Sequence, residues 1–575
     1  MLWPILMCAS ILAVGLPSII YPFGYDQANQ AYIASRVLGG DVLFRDVVSL
    51  KPVLTIWFHV ASLWLFGHNM MSIRIADLIW VMIVSVLIYR FAIKAFPERG
   101  TWVGLLGGLF YAHFHYSHTF WHTAQADGWM NVPVALGFLL ILRSVEMDIP
   151  NRSRQFFLWV AVGSLGACAV LFKYTALGIV AAMAVCSLMA FWKGRNSGLT
   201  SMGGFCAGLV LVGMLFFLWL WARGAIQPFF HNHFADVISY GSGKVAGIKG
   251  GAGKWGDLIR KVIPQLFNNV PVWRRFLAAP RTFWIGFAGL IAMILRFWPV
   301  RKNIRQITTY LIILAWLGAA WTSTALQGRW FPYHFLPLFP PLALLSSWLI
   351  VSAMFSIKKI FSSRSFALLS ASALMLAAAC VEPKQYAIGF ISVREQYALL
   401  FRVLLRKEDI PTLWKSGLFD IADNYSVSET IKVVEYLKYN TRTQDTMFVW
   451  GTNLGIHFLA QHPRVSGIDT SIQAVGQVVA KAGSADRLMA DLKTNPPDIF
   501  LVQKGDQIPH ILGHFKDSYG LLMETTPVLE FVIKNYFEKT TIGHFIVLSK
   551  RRENVRASEP VPQGNPPVMF PPLTE

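Results

Sequence analysis

Residues 21–60 read YPFGYDQANQAYIASRVLGGDVLFRDVVSLKPVLTIWFHV and directly follow an apolar first segment. This stretch carries six charged side chains, namely Asp26, Arg36, Asp41, Arg45, Asp46 and Lys51. Ionisable groups beside a membrane-spanning segment need water, a partner or a function. The stretch is therefore a candidate functional site.

The composition is that of a membrane protein. Of 575 residues, 54% are hydrophobic and 14% are charged, and the mean hydropathy is +0.47. These values, spread over many apolar runs, are typical of a polytopic helical membrane protein and exclude a soluble enzyme. The net charge of +20 comes largely from basic residues between the apolar runs, where they orient helices, so nucleic acid is a poor candidate partner.

The apolar runs predict eleven spanning helices. The N-terminus lacks a basic n-region and a small-residue cleavage site, so we expect the first run to be a retained helix. The predicted spans are 3–22, 72–93, 101–118, 128–145, 156–172, 175–192, 202–222, 281–297, 306–323, 334–355 and 365–381.

Basic residues in alternate loops predict the orientation. By the positive-inside rule the loops that carry them are cytoplasmic, which leaves loops 23–71 and 223–280 and everything after residue 381 outside. The segment KPVLTIWFHVASLWLFG in the first external loop is apolar but short, and we interpret it as an interfacial helix. The basic loop residues are Arg90, Lys94, Arg99, Arg143, Arg152, Arg154, Lys193, Arg195, Arg296, Arg301, Lys302, Arg305, Lys358, Lys359 and Arg364.

The chain changes character after the last span. Residues 1–381 form the predicted transmembrane domain, and 382–424 a linker. In 425–550, DTMFVWG, PDIFLV and GHFIVLS read as buried strands, while SETIKVVEYLKYN and SADRLMADLKTN have helical spacing. We therefore predict a small external α/β domain, followed by a disordered, proline-rich tail at 551–575.

Asp26 has two interpretations. It precedes QANQAYIASRVLGG, a helical stretch that stops at Gly39 and Gly40. Its carboxylate could cap this helix, or it could act as a general base that takes a proton from an attacking hydroxyl. Asp46 and Lys51 lie five positions apart, either as a loose ion pair in a solvated turn or as two charges facing a polar substrate.

The stretch HFHYSHTFWHTAQADGWM clusters histidines near the external end of two helices. Only His118 and His122 have the spacing of a helical ligand pair, so polar lining of a cavity is favoured over a zinc site. Asp127 is the stronger candidate here, because an acid at the mouth of an apolar helix is costly without a partner. Lys173, in LFKYTALG, could snorkel to the interface or contact a phosphate.

The stretch ALQGRWFPYHFLPLFPPLALL opens the tenth span. Arg329, Tyr333 and His334 alternate with prolines that break or kink a helix and leave backbone groups in need of a cavity. An aromatic interfacial belt would account for the tyrosine but not for the additional arginine and histidine.

These pieces, in this order, resemble the GT-C class of polytopic glycosyltransferases. The resemblance is strongest to family 39, which includes protein O-mannosyltransferases and the lipid A aminoarabinose transferase, and it covers about residues 1–381. The stretches that carry it are YDQANQAYIASRVLGGDVLFRDVVSLKPVLTIWFHVASLWLFG, TAQADGWMNVPVALGFLLILRS, LFKYTALG and GRWFPYHFLPLFPPLALL. The chain departs from the family pattern at Gln27, where Glu often follows the first acid, and in the order Pro332, Tyr333, His334.

The resemblance implies an enzyme of the cell envelope. It implies transfer of a sugar from a polyprenyl-phosphate donor to a hydroxyl on a lipid, glycan or protein, with inversion, outside a bacterial inner membrane. It implies that Asp26, Asp46 and Asp127 are catalytic and that Asp26 is the base. It implies contacts to substrate from Lys51, Lys173, Arg329, Tyr333 and His334, and it leaves open whether Mg²⁺ or Mn²⁺ is a cofactor.

Two other functions compete with this one. Rim charges also mark the substrate path of a transporter or lipid flippase, although no duplicated halves are evident in the sequence. The second competing function is a non-catalytic scaffold whose external domain binds envelope partners. Binding without turnover would favour this function.

The orientation is directly testable. Reporter fusions at Arg99, Arg154 and Lys359 should score as cytoplasmic, and a fusion after Ser428 as external, because the basic loops stay inside. A cytoplasmic score after Ser428 would contradict both the helix count and the external location of the site.

Overall fold

A computed structural model of the chain describes residues 2–117, 120–146, 152–189, 195–241, 281–300, 303–327, 331–357, 393–422, 424–475, 483–509 and 515–551. The chain divides into two compact units. The first comprises Met1–Val237 and Ala252–Thr412, and the second comprises Ile238–Gly251 and Leu413–Glu575.

The first unit is helical. Short 3₁₀ turns at Leu16–Ile20, Tyr174–Ala176 and Pro332–Leu338 and a π-helical turn at Phe229–Phe234 interrupt its helices. The helices that begin in this unit are α1 Leu2–Gly15, α2 Tyr25–Leu38, α3 Val53–Phe66, α4 Met70–Ala95, α5 Gly100–Tyr116, α6 Ala126–Trp129, α7 Asn131–Glu146, α8 Arg152–Phe172, α9 Leu177–Leu188, α10 Arg195–Ala222, α11 Ile226–Pro228, α12 Ala235–Gly241, α13 Arg281–Val300, α14 Ile304–Ala325, α15 Phe339–Ile357, α16 Val393–Leu404 and α17 Ile410–Lys415.

Seven helical stretches in the described residues are long and apolar enough to cross a membrane. The predicted spans from 3–22 to 334–355 all overlap helices, but 101–118, 175–192 and 281–297 are not among these seven. The predicted span 365–381 and loop residues 242–280 fall outside the described residues. The predicted interfacial segment forms α3, whose 14 residues are fewer than the roughly 20 that a bilayer requires. The seven stretches are Leu2–Ile20, Met70–Ala95, Ala126–Ser144, Arg152–Phe172, Ser197–Ala222, Ile304–Ala325 and Pro332–Phe355.

Helices α8 and α10 approach closely through glycines. A Cβ on Gly208 would lie 2.1 Å from the carbonyl oxygen of Val160, and one on Gly163 would lie 2.0 Å from that of Phe205. Small residues at helix interfaces allow this close backbone contact in membranes, where apolar burial gives helices little reason to associate. The other face of α10 exposes Met214, Phe217 and Trp221, as expected of a lipid-facing surface.

A buried arginine joins the first turn of α4 to two loops. Arg74 is 1% exposed, and its guanidinium donates to the carbonyl oxygens of Pro22 and, at 2.9 Å, Phe120. It also donates to the Thr123 hydroxyl at 2.9 Å. A guanidinium carries five N–H donors in a fixed fork, so a single side chain satisfies carbonyls from both loops.

The second unit contains a four-stranded sheet of order β1-β2-β4-β3. Strands β1 (Met447–Trp450) and β2 (Ile499–Gln503) are parallel, and β4 (Phe545–Lys550) is antiparallel to both β2 and β3 (Tyr536–Ile542). The helices that begin here are α18 Val427–Asn440, α19 Gly455–Ala460, α20 Ser471–Val475, α21 Ser484–Thr494, α22 Ser518–Glu524 and α23 Thr526–Asn535.

The core of the second unit forms between α18 and the sheet. Val433 and Leu437 of α18 pack with Met447, Leu501 and Val547 from three strands. The structure confirms the three strands expected from sequence, β1, β2 and β4. They were predictable because each is a continuous apolar run. Strand β3 was not predicted, since its sequence YFEKTTI is neither a continuous apolar run nor a strict alternation of apolar and polar residues, although exposed and more buried residues alternate along it in the structure.

Candidate active site

The first acid of the site lies in the opening turn of α2. Asp26 was expected to precede this helix as a possible cap, but Gly24 occupies the N-cap position. The Gln27 side chain accepts the hydrogen bond from the Gly24 N–H at 3.1 Å. In the described residues the Asp26 carboxylate has one bonded partner, the Lys51 ammonium at 3.4 Å. The cap interpretation is therefore wrong for Asp26, whose carboxylate faces a cation.

Lys173 and Asp127, which are 46 positions apart in sequence, form a second ion pair. The Lys173 ammonium lies 2.8 Å from Asp127 Oδ2, and Gln327 Nε2 donates to Asp127 Oδ1 at 2.7 Å. Asp127 is buried. Burial lowers the pKa of Lys173, and the negative charge of Asp127 opposes that shift. Asp127 thus favours the charged form of Lys173, which burial disfavours.

The two ion pairs lie within electrostatic range of each other. The ammonium of Lys51 lowers the pKa of Lys173, and the carboxylate of Asp26 raises it. The Thr55 hydroxyl, near the start of α3, donates to the Phe172 carbonyl at 2.7 Å. This bond holds the segment after Lys51 against the residue before Lys173. We call Asp26, Lys51, Asp127 and Lys173 the charged cluster.

The tenth-span motif contributes aromatic rings beside this cluster. Tyr333 lies in the 3₁₀ turn Pro332–Leu338, and its ring centroid is 5.9 Å from the Lys173 ammonium. The ring of His334 is buried and packs edge-on against Tyr333 with centroids 4.6 Å apart. An aromatic face attracts a cation. Arg329, the third residue predicted from this motif, lies outside the described residues.

Asp46 is held within its own turn. Arg45 forms a two-point ion pair with it, at 2.9 Å for each contact, and the Val42 N–H donates to Asp46 Oδ2 at 2.8 Å. Arg45 also donates to the Arg223 carbonyl at 3.0 Å. These contacts indicate a structural role for Asp46, whereas Lys51, expected beside it, forms an ion pair with Asp26.

One histidine of the cluster pairs with an acid inside the helix bundle. His115 is buried in α5, with its Nε2 2.9 Å from Asp77 Oδ2, and the other oxygen of Asp77 accepts from Trp129 Nε1 at 2.9 Å. His118 is outside the described residues. Among the residues that the structure describes, no group of three or more histidine, cysteine or acidic side chains could hold a metal ion. The sequence clue to Asp77 was a single acid within an apolar span.

Gln27 is the most important residue that the sequence did not reveal. Its side chain is fully buried, and Nε2 donates to the carbonyls of Phe120, Trp121 and Thr123 at 3.3, 3.0 and 2.8 Å. These carbonyls precede Asp127 in the chain. Gln27 thereby couples the helix that carries Asp26 to the loop that leads to Asp127, and the available clue was only its departure from the family pattern.

Comparison with known proteins agrees with this architecture. The family model for dolichyl-phosphate-mannose-protein mannosyltransferase matches residues 50–221, which include Lys51, Asp127 and Lys173. A structure of ArnT from Cupriavidus metallidurans bound to undecaprenyl phosphate is similar, with a TM-score of 0.55 and 14% identity over 95% of this chain and 98% of that chain. The apo structure of the same protein has a TM-score of 0.54 and 15% identity, over 95% of this chain and 97% of that chain. No curated protein matches the sequence. The predicted GT-C resemblance is confirmed, and the structural likeness establishes the fold.

The role of Gln27 can be tested through the pH dependence of the stability of a Gln27→Glu variant. In Gln27→Glu, burial and the three carbonyls would raise the pKa of the new carboxyl group, while the positive charge of Arg74, which also donates to Phe120, would oppose the shift. We expect burial to dominate and to favour the neutral form, which can still donate one hydrogen bond. Relative to wild type, the stability of this variant should be highest at about pH 4, near the unfolded-state pKa of Glu, and fall toward pH 8, by about 1.4 kcal/mol in total for each unit of pKa increase. Melting temperature across this range, relative to wild type, measures the effect.

The matched control is Gln27→Ala, which removes the same donors without adding a titratable group. Its melting curve should be lower than that of wild type at every pH but parallel to it. A Gln27→Glu curve parallel to wild type would show that the side chain does not bind these carbonyls.

Proposed function

We propose that this polytopic membrane protein, which has the GT-C fold, is a glycosyltransferase that uses a polyprenyl-phosphate sugar donor. The observation that carries the proposal is the charged cluster, in which a partly exposed carboxylate, Asp26, lies 3.4 Å from a lysine ammonium. A carboxylate and two ammonium groups are what an attack by a hydroxyl on a phosphate-linked sugar requires.

The donor class follows from chemistry and fold together. Lys51 and Lys173 provide two cations near an apolar bundle, which suits a phosphate attached to a lipid chain. The similar ArnT structure was solved with undecaprenyl phosphate bound. Together these observations support a polyprenyl phosphate as the carrier. The acceptor is a hydroxyl of an envelope lipid, glycan or protein.

Asp26 is the general base in this proposal. Its carboxylate takes the proton of the acceptor hydroxyl as the hydroxyl oxygen bonds to the anomeric carbon. The bond from that carbon to the phosphate oxygen breaks, and the polyprenyl phosphate leaves with the electron pair. A single displacement of this kind inverts the anomeric centre. A base placed in this way contributes roughly 100-fold to 10,000-fold in rate.

The lysines stabilise the departing phosphate. Cations fixed where negative charge develops are most effective where water is scarce, and each such contact is worth roughly 3–4 kcal/mol of barrier. Asp127 and Gln327 hold Lys173 in place, and Asp127 favours its charged form. Tyr333 packs near the same ammonium, His334 supports Tyr333, and Arg329 is proposed from sequence as a further phosphate contact.

The location of the reaction is part of the proposal. The alternating basic loops support an external site, and the fold is consistent with a bacterial inner membrane protein that faces the periplasm. Residues 425–550 are then an external domain that influences acceptor choice or stability.

Asp26→Asn tests the mechanism. Turnover should fall by roughly 100-fold or more, because the base is lost. Melting temperature should barely change, because Gly24 and Gln27 form the start of α2 and the partly exposed ion pair with Lys51 contributes at most about 1 kcal/mol. The assay incubates purified protein with polyprenyl-phosphate sugars and envelope extract, with and without divalent cation, and detects products by mass spectrometry.

Asp41→Asn is the control for this experiment. Asp41 belongs to the same loop and forms an ion pair with Arg36, so the substitution removes a nearby carboxylate while leaving the charged cluster intact. Its turnover should stay near wild type. Normal turnover in Asp26→Asn would contradict the assignment, and binding of donor without turnover in wild type would favour a scaffold.

A further inference from the structure

His233 links two segments that the sequence separates widely. It lies in the π-helical turn Phe229–Phe234 and is 0% exposed. Its Nδ1 is 2.5 Å from the Ser49 carbonyl oxygen, and its Nε2 is 2.6 Å from the Tyr174 hydroxyl. Because a carbonyl only accepts, Nδ1 carries the hydrogen, and Nε2 accepts from Tyr174. Both nitrogens of one neutral ring are therefore occupied.

Burial supports the neutral form. It lowers the pKa of His233 to about 4, although the hydrogen bond to Ser49 opposes the shift. At neutral pH the ring therefore keeps the tautomer that bridges Ser49 and Tyr174.

The two partners flank the two lysines of the charged cluster. Ser49 is two residues before Lys51, whose N–H donates to the Ser49 hydroxyl at 3.0 Å. Tyr174 directly follows Lys173. The backbone at Lys51 is thus linked to the backbone at Lys173 through Ser49, His233 and Tyr174, which are joined by short hydrogen bonds.

The loop before Lys51 is also held against the same turn. Phe44 has a positive φ of 72°, which is unfavourable for a bulky side chain. Its buried ring lies 4.4 Å from the ring of His233 and 5.3 Å from that of Phe229. Strained backbone of this kind persists only where its surroundings enforce it and is concentrated at functional sites. π-Helical turns have the same tendency.

We propose that His233 is a positioning residue that sets the spacing of the Lys51 and Lys173 ammonium groups through its bridge between Ser49 and Tyr174. The inference rests on the proposed function, because this spacing matters for activity only if both ammonium groups bind the donor phosphate. His233 itself does not touch the reacting atoms in this proposal.

The test compares His233→Ala, His233→Asn and Tyr174→Phe with wild type in purified full-length protein. Undecaprenyl phosphate should bind His233→Ala about tenfold more weakly, the effect of losing one or two hydrogen bonds. KM for the donor should rise likewise, and kcat should fall as well, because the same ammonium groups stabilise the departing phosphate. The Asn side chain can still donate to the Ser49 carbonyl, so His233→Asn should recover part of the affinity. The affinity of Tyr174→Phe for undecaprenyl phosphate should lie between those of wild type and His233→Ala.

His231→Ala is the matched control, because His231 lies in the same π-helical turn but is exposed. It should bind undecaprenyl phosphate as wild type does. Wild-type affinity and KM in His233→Ala would overturn the positioning role. So would equal losses in His233→Ala and His231→Ala.

Amide hydrogen exchange separates this inference from the proposed function. In His233→Ala, peptides covering residues 42–51 should exchange faster in the absence of any ligand, while α4 and α5 keep their protection. Unchanged exchange in 42–51 would overturn the inference even if the enzyme is active. Failure of wild type to bind undecaprenyl phosphate would refute the proposed function, and the exchange result would still decide whether His233 fixes the loop.

Discussion

The architecture of the site depends on how loop carbonyls find hydrogen-bond donors at the end of an apolar helix bundle. Irregular backbone at this position is tolerated only where protein or water satisfies it, since lipid offers no donors. Here two buried side chains, Gln27 and Arg74, donate to the carbonyls of the loop that ends at α6, and Arg74 also reaches Pro22. The two loops that lead to Asp26 and to Asp127 are therefore anchored by a neutral amide and a delocalised cation.

With the loops fixed, the charged cluster is close to neutral as a whole. Two carboxylates and two ammonium groups form two pairs, one partly exposed and one buried. A buried pair is costly to desolvate, so its retention requires extra hydrogen bonds, which Gln327 supplies to Asp127. The more exposed pair, Asp26 with Lys51, is held less tightly and is the one that an incoming substrate can separate.

The sequence identified the charged residues of the cluster, but it did not identify how they pair. Asp26, Lys51, Asp127 and Lys173 stood out because ionisable groups are expensive in an apolar chain, and most helices were predictable from apolar runs. The pairings join residues far apart in sequence, such as Asp127 with Lys173, and no local pattern encodes them. The cap assignment of Asp26 was wrong because a glycine with extended backbone can begin a helix when a following glutamine supplies the acceptor. His233 and Asp77 were hidden for a related reason, since their roles arise only from tertiary contacts.

The same contacts explain the departure from the family pattern at Gln27. A carboxylate at this position could accept from the Gly24 N–H but could not donate to the carbonyls of Phe120, Trp121 and Thr123. An ionised glutamate would instead bring a negative charge toward three partial negative charges in a buried site, where the nearby Arg74 already donates to Pro22, Phe120 and Thr123. The amide both accepts and donates, so it serves both loops at once. In this chain, therefore, the residue after Asp26 is a structural link between the two acidic segments, and Asp26 is the one acidic residue of α2.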